Sequence, residues 1–258
     1  MRYASDISDE QWNLISYCLP KPAKTGRPRD YSNRDVLNAI FYLVKTGCPW
    51  RYLPKDFPPW SSVYGYFRKW TNSGRIEKIH SNLREHIRLL NDRKRQPSAA
   101  IIDSQSVKCS ETCGERGYDA GKKINGRKRH ILVDTMGLLL MVAVLPANVQ
   151  DRDGARVLLV RALSVFTKIK LIWADGGYAG VFVQWAMNKL GCVVEIVKRS
   201  DKRPKFVVLP RRWVVERTFG WLNRNRRLNR DHERRKPVAE AMVYLAMCRL
   251  MLSRWKKH

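Results

Sequence analysis

Short runs of branched apolar residues, each closed by an acidic or turn-forming residue and separated by helix-periodic segments, limit what this chain can fold into more than any other feature. Ala99-Ala-Ile-Ile-Asp103, Lys170-Leu-Ile-Trp-Ala-Asp175 and Cys192-Val-Val-Glu-Ile-Val197 have the length and branching of buried strands. His130-Ile-Leu-Val-Asp134 and Leu138-Leu-Leu-Met-Val-Ala-Val144 flank Thr-Met-Gly137, so they read as a hairpin. Helical segments interleave with them: one carrying Val157, Leu158, Val160, Leu163 and Phe166 and capped by Asp151 or Asp153, one over 181–190, and one after Pro210. The order strand, hairpin, helix, strand, helix, strand, helix implies an α/β fold, a mixed sheet with helices on its faces.

The residues before that pattern are helical. Ser8, followed by Asp9 and Glu10, starts a helix carrying Trp12, Leu14, Ile15 and Leu19, which Pro20 and Pro22 stop. After the basic turn segment 25–30, Ser32 caps a helix with Val36, Leu37, Ile40, Phe41, Leu43 and Val44 that ends at Gly47 and Pro49. Ser61 opens a third with Val63, Tyr64, Tyr66, Phe67 and Trp70, and 76–90 continues in helical phase. Such a bundle suits either a helix-turn-helix-like DNA-docking unit or a packing domain, and GRPR at 26–29 is either a minor-groove arm or a surface loop. NDRKRQP at 91–97 is the expected boundary, giving a helical domain over 1–95 and a second domain over 96–258. A closing helix over 237–255 reads as amphipathic, with Ala241, Tyr244, Leu245, Cys248 and Leu252 on one face.

Charge decides the partner class. In 258 residues, 50 Lys and Arg against 23 Asp and Glu leave a formal net charge of +27, so the chain binds polyanions, and nucleic acid is the first candidate. Apolar segments are short or broken by Glu240 and Arg249, which argues against a membrane span, and MRYASDISDEQW has no secretory pattern, so a cytoplasmic, DNA-associated protein is expected. The six cysteines, at 18, 48, 109, 113, 192 and 248, are expected as reduced thiols, with Cys109 and Cys113 incidental. The polar stretch 109–129 reads as a basic loop or ribbon.

Arg211 to Leu228 is a basic, aromatic helix with one acid in it. Val215, Phe219 and Leu222 mark its buried side, and Glu216 shares the polar side with Arg212 and Asn223, next to Arg224. Glu216 is either one half of an exposed ion pair or a metal-binding carboxylate beside DNA. Asp103 and Asp175 end apolar runs, where an ionised group is costly unless paired or metal-bound. Grouped carboxylates gather a cation, oxygen-only donors favour Mg2+ or Mn2+, and two such ions suit displacement at phosphorus. Asp134 reads as a turn residue, while Asp119 and Glu195 have no assigned place; His130 is a structural group, a phosphate contact or an acid–base group.

Asp103 in IIDSQSVK, Asp175 in WADGGYAG and Glu216 in RRWVVERTFGWL together resemble the DDE triad of bacterial insertion-sequence transposases. GERGYDAGKK, GRKRHILVDTMG, PANVQDRDGA and CPWRYLP extend the resemblance over nearly the whole chain. It implies a ribonuclease-H-like mixed sheet flanked by helices and preceded by a small all-α domain. It also implies that Asp103 on the first strand, Asp175 at the end of the fourth and Glu216 on a later helix converge on Mg2+ or Mn2+, two ions in number. The implied activity is cleavage at the terminal inverted repeats of an insertion sequence followed by strand transfer into target DNA, by a homodimer assembled on double-stranded DNA. Arg212, Arg217, Arg224, Arg226 and Arg227, with Lys122, Lys123, Arg127 and Lys128, are the expected phosphate contacts. Where relatives carry a tyrosine and a lysine around the glutamate, this chain has Leu209 and Asn223, with Arg224 as the substitute cation. The rival readings are a nuclease or resolvase of the same fold, which cuts without joining, and a non-catalytic DNA-binding repressor.

Overall fold

In a computed structural model describing residues 3–21, 30–197 and 212–255, the sheet is assembled around its first strand. That strand, β1 (Ala99–Lys108), runs well past the Ala99–Asp103 run expected from sequence. On one side it pairs antiparallel with β3 (Ile124–Asp134), whose far edge carries β4 (Leu139–Pro146) and the short β2 (Gly117–Asp119). On the other it pairs parallel with β5 (Leu171–Ala174), which pairs parallel with β6 (Val193–Ile196). A first strand with a hairpin on one side and two parallel strands on the other is the ribonuclease-H-like order, and the expected α/β class holds.

Alternation along β1 gives the sheet two different faces. Ala100 and Ile102 point, with Leu132, into a core formed by α5 (Asp151–Val165) and α6 (Val181–Leu190). Ile101 points the other way, with Ile131, Val133 and Trp173, against α7 (Trp213–Asn223) and α8 (Lys236–Arg254). Beyond α8 lie α2 (Asn33–Thr46), α3 (Trp60–Asn72) and α4 (Arg75–Leu90), and their apolar residues belong to the same continuous core. The helix expected to be amphipathic, α8, is therefore central: Met242, Val243, Met247 and Met251 are buried as fully as Ala241, Leu245 and Cys248. The connection over 91–98 marks a change from helix to strand, but the core runs across it.

Several local readings hold for physical reasons. Ser8 caps α1 (Asp9–Asn13) in a reciprocal box with Gln11, and Ser32 accepts from the Asp35 N–H. Gly47 ends α2 at φ 74°, a conformation that suits glycine. Asp134 closes the hairpin, accepting the Met136 and Leu138 N–H groups at 2.9 Å each, with Gly137 at φ 81°.

Others are corrected. The third helix begins at Trp60 with Pro59 at its cap, placing Ser61 inside it. Asp151 and Asp153 lie in the first turn of α5, where Gln150 is the capping residue and no side chain caps. The stretch 109–129, expected as a basic loop or ribbon, is a ribbon in part: it contains β2, paired antiparallel with the first half of β3, but Arg127, Lys128 and Arg129 are buried strand residues and do not form an exposed basic surface. Cys109 and Cys113 are joined in a disulfide, since the turn donated by Cys113 N–H to Ser110 carbonyl folds the segment back on the end of β1; Cys18, Cys48, Cys192 and Cys248 are free thiols. The GRPR arm, Leu209 and Arg211 lie outside the described residues. Among the described residues no helix is long and apolar enough to cross a membrane.

Candidate active site

Strand register brings the two aspartates together. Ile101 is paired with Trp173 in the parallel β1–β5 ladder, and two residues further along each chain stand Asp103 and Asp175. Two steps preserve the face, so both sit on the side where α7 packs. Asp175 follows the last residue of β5 and caps a turn of 3-10 helix over Gly176–Tyr178, accepting the Gly177 N–H at 2.9 Å. The third carboxylate comes from α7. Val214, Val215, Phe219 and Leu222 fix that helix by burial, and Thr218 Oγ1 donates to the Gly137 carbonyl at 2.9 Å, tying it to the β3–β4 turn. Glu216 is left on the open side, with its side chain 54% exposed.

Arg212 closes the group. Its Nη2 lies 3.8 Å from Asp175 Oδ2 and 3.3 Å from Glu216 Oε1, so the two carboxylates are separated by no more than those lengths laid end to end. Asp103 feels the cluster electrostatically: burial and then the nearby Asp175 charge push its pKa up to about 6, while the Ser104 N–H, Arg212 and Lys122 pull the other way. Gln105, on the same face of β1, donates to Asn223 at 3.3 Å, so the residue standing where relatives carry lysine anchors the end of α7 to the strand.

The opposite face of β1 carries a second polar group that sequence reasoning did not find. Ser104 donates to Asp151 at 2.7 Å and Ser106 to Asp119 at 2.6 Å, and Lys128 lies 3.0 Å from Asp151 and 3.6 Å from Asp119. This locks β1 to α5 and to the β2 turn, which gives Asp119 its place. No spacing in the sequence announces it, because the partners stand on separate elements. His130 opposes Ser104 and is fully buried, with both ring nitrogens unpartnered and its pKa lowered to about 4 by burial. That excludes a phosphate contact. Glu195 accepts from the Trp173 indole at 2.9 Å.

The expected phosphate contacts separate into two sets. Lys122, Lys123, Arg224 and Arg226 are exposed. Arg217 is half-buried between the Trp213 and Trp221 rings, 4.2 and 4.7 Å from their centroids, and donates to Met136 carbonyl. Three others are corrected. Arg127 has no exposed surface and binds Asp231 and the Glu115, Glu233 and Arg234 carbonyls. Lys128 is held inside as described, and Arg227 is buried against Glu233 at 2.7 Å. These cations satisfy buried acceptors and cannot lie along a phosphate backbone.

Among the described residues no group of three or more His, Cys, Asp or Glu is close enough as it stands to hold a metal ion. The donor chemistry nevertheless fits a hard divalent cation. Asp103 lies near Asp175, its pKa raised by burial and by that neighbour, and the Arg212 guanidinium stands between Asp175 and Glu216. Such an arrangement can bind a divalent ion and hold phosphate oxygens at its basic rim.

Residues 94–252 match the family model described as transposase DDE domain, and residues 7–80 match one described as putative transposase of IS4/5 family. A putative transposase for insertion sequence element IS402 from Burkholderia cepacia is 32% identical over 62% of this chain and 76% of its own length. An uncharacterized 16.2 kDa protein of the same element is 33% identical over 46% of this chain and 78% of its own. A crystal structure of the Mos1 mariner paired end complex with Mn aligns over 96% of this chain and 83% of its own at 12% identity, but its TM-score of 0.30 is too low to bear on the fold.

Proposed function

The chain belongs to the transposase DDE domain family, and from that premise we propose that it is a DNA transposase that cuts at the terminal inverted repeats of an insertion sequence and joins the freed ends to target DNA. The observation that carries this reading is the parallel register that sets Asp175 beside Asp103, with Arg212 tying Glu216 to the same place. Asp103, Asp175 and Glu216 would hold Mg2+ or Mn2+, two ions in the full site, which activate the attacking oxygen and stabilise the leaving one when bound.

The chain's own groups do the rest. Arg212 keeps two carboxylates close in spite of their like charge and presents a cation toward the scissile phosphate. Lys122, Lys123, Arg224 and Arg226 are exposed and serve as phosphate-positioning groups, which fix register without reading sequence. Asp103 is held within β1 and Asp175 directly after the end of β5, the strand paired with it, so their relative position changes little when DNA arrives. Water attacks the phosphodiester at the element's end and frees a 3′ hydroxyl; that hydroxyl then attacks target DNA, and the target's own 3′ oxygen departs. Residues 1–95 supply end recognition, and two chains on two ends form the working dimer.

The test uses the full chain with labelled element ends, precut ends and a target plasmid, with Mg2+ or Mn2+. Asp103→Asn is expected to bind ends within about twofold of the wild type and to lose cleavage by at least about a thousandfold. Undiminished cleavage would remove Asp103 from the site. Active cleavage with no joined product would make the protein a nuclease, and specific binding with neither step would make it a repressor.

A further inference from the structure

A second concave surface lies away from the carboxylates. It is a cleft of about 1220 Å³ between the amino-terminal helices and the chain that leads from α7 to α8. The CPWRYLP segment, which the site described above does not use, forms one wall; the disulfide loop over 110–114 and residues 230–235 form the other. Tyr52 is 76% exposed and Trp60 37%. The Arg51 guanidinium lies 5.3 Å over the Trp60 ring and that of Arg68 lies 6.0 Å over Tyr64. Arg230, Arg234 and Arg235 are exposed on the facing wall, which carries two acids: Glu233, neutralised by Arg227, and the exposed Glu111, so cations still predominate.

Two features of this lining narrow the occupant. An apolar peptide has no use for so many guanidinium groups. Intact duplex DNA would use the charge but hides the faces of its bases, leaving the exposed rings idle. An unpaired strand offers both, since its phosphates suit the arginines and its bases stack on aromatic rings with little regard to sequence. The cleft also lies on the path of the DNA in the reading above. Its far wall begins at Ser110, two residues after β1 ends and seven beyond Asp103, or roughly 20 Å of extended chain. That distance corresponds to about six nucleotides of duplex.

We propose that this cleft binds an unpaired stretch of DNA strand, its bases stacked on Tyr52 and Trp60 and its phosphates held by the surrounding arginines. The proposal rests on the protein acting on DNA, but not on its cutting or joining it.

The experiment measures affinity of the full chain by fluorescence anisotropy without divalent metal, using a short single strand, a blunt duplex and the same duplex with a short overhang. The double variant Tyr52→Ala with Trp60→Ala should lose about tenfold in affinity for the single strand and the overhang, and less than about twofold for the blunt duplex. Tyr52→Phe should keep wild-type affinity for all three, because the ring remains. An unchanged single-strand affinity, or equal losses on all three DNAs, overturns the proposal; so does competition by poly-glutamate as effective as that by the oligonucleotide, which would show charge alone at work. Blunt-duplex affinity and an unchanged unfolding midpoint report that the double variant is folded. Failure of the transposase reading is seen separately, in cleavage and joining by the full chain with metal, which this metal-free binding assay does not report.

Discussion

At the scale of single residues, Asp103 shows how an active site stores cost in the folded state. Its folded pKa of about 6 lies above the ordinary 3.8, first because burial disfavours the ion and then because Asp175 repels it. A raised carboxyl pKa means the fold favours the neutral form. Its stabilising contribution is complete below about pH 4 and is lost as pH rises through about 6. In metal-free urea titrations, Asp103→Asn should therefore match the wild type near pH 4 and be the more stable by on the order of 2 kcal/mol near pH 8. Equal stabilities at pH 8 would show that the charge is not penalised. The same residue scale explains what sequence could not show about the cations. Arg127, Lys128 and Arg227 look like Lys122 or Arg226 in a basic sequence, but a strand register and a buried carboxylate decide which of them face inward.

Elements pack here by close approach, and α5 on β3 is a case between helix and sheet. A Cβ added at Gly154 would stand 2.1 Å from His130 Nε2. His130 is buried, so the overlap cannot be relieved by swinging the ring into solvent. Gly154→Ala should destabilise by about 2–4 kcal/mol. Adding His130→Ala should give back a large part of that loss, with a coupling on the order of 1–3 kcal/mol in a double-mutant cycle followed by denaturant unfolding. Strict additivity would show that α5 shifts away instead. The elements themselves were mostly legible: residues 181–190, the hairpin around Gly137 and the Ser8 and Ser32 caps follow from periodicity and turn chemistry. The carboxylate order along strand, strand and helix was legible too, through the motifs around Asp103, Asp175 and Glu216. What stayed hidden depends on partners distant in sequence. The first half of β3 reads as an exposed basic loop or ribbon because its buried side chains are charged, and the pairing of Ser104 with Asp151 joins residues that no local pattern connects.

At the scale of the whole molecule, the helical part and the sheet are joined through α8. His80 of α4 packs on Tyr244 with ring centroids 4.9 Å apart, and Gln11 donates to the Leu252 carbonyl at 2.8 Å. Arg88 pairs with the buried Asp134 at the β3–β4 turn, and Lys45 donates to the Arg224 carbonyl at 3.0 Å. Removing residues 1–95 would therefore expose Met247, Met251 and Leu252 to water and leave Asp134 buried without its cation. A buried charge deprived of its partner costs about 3–5 kcal/mol by itself, a large share of a domain's net stability, before the lost apolar contact is counted. The full chain should unfold in one transition, with midpoints by circular dichroism and tryptophan fluorescence coinciding, and a 96–258 fragment should show no cooperative transition and should aggregate. A fragment that melts sharply on its own would show that the sheet and α8 suffice. If the fragment fails, end recognition cannot be assigned by truncation, because loss of DNA discrimination would report loss of folding. Substitutions at exposed positions of the helical part, with blunt-duplex affinity and its salt slope as the control, then become the way to separate recognition from stability.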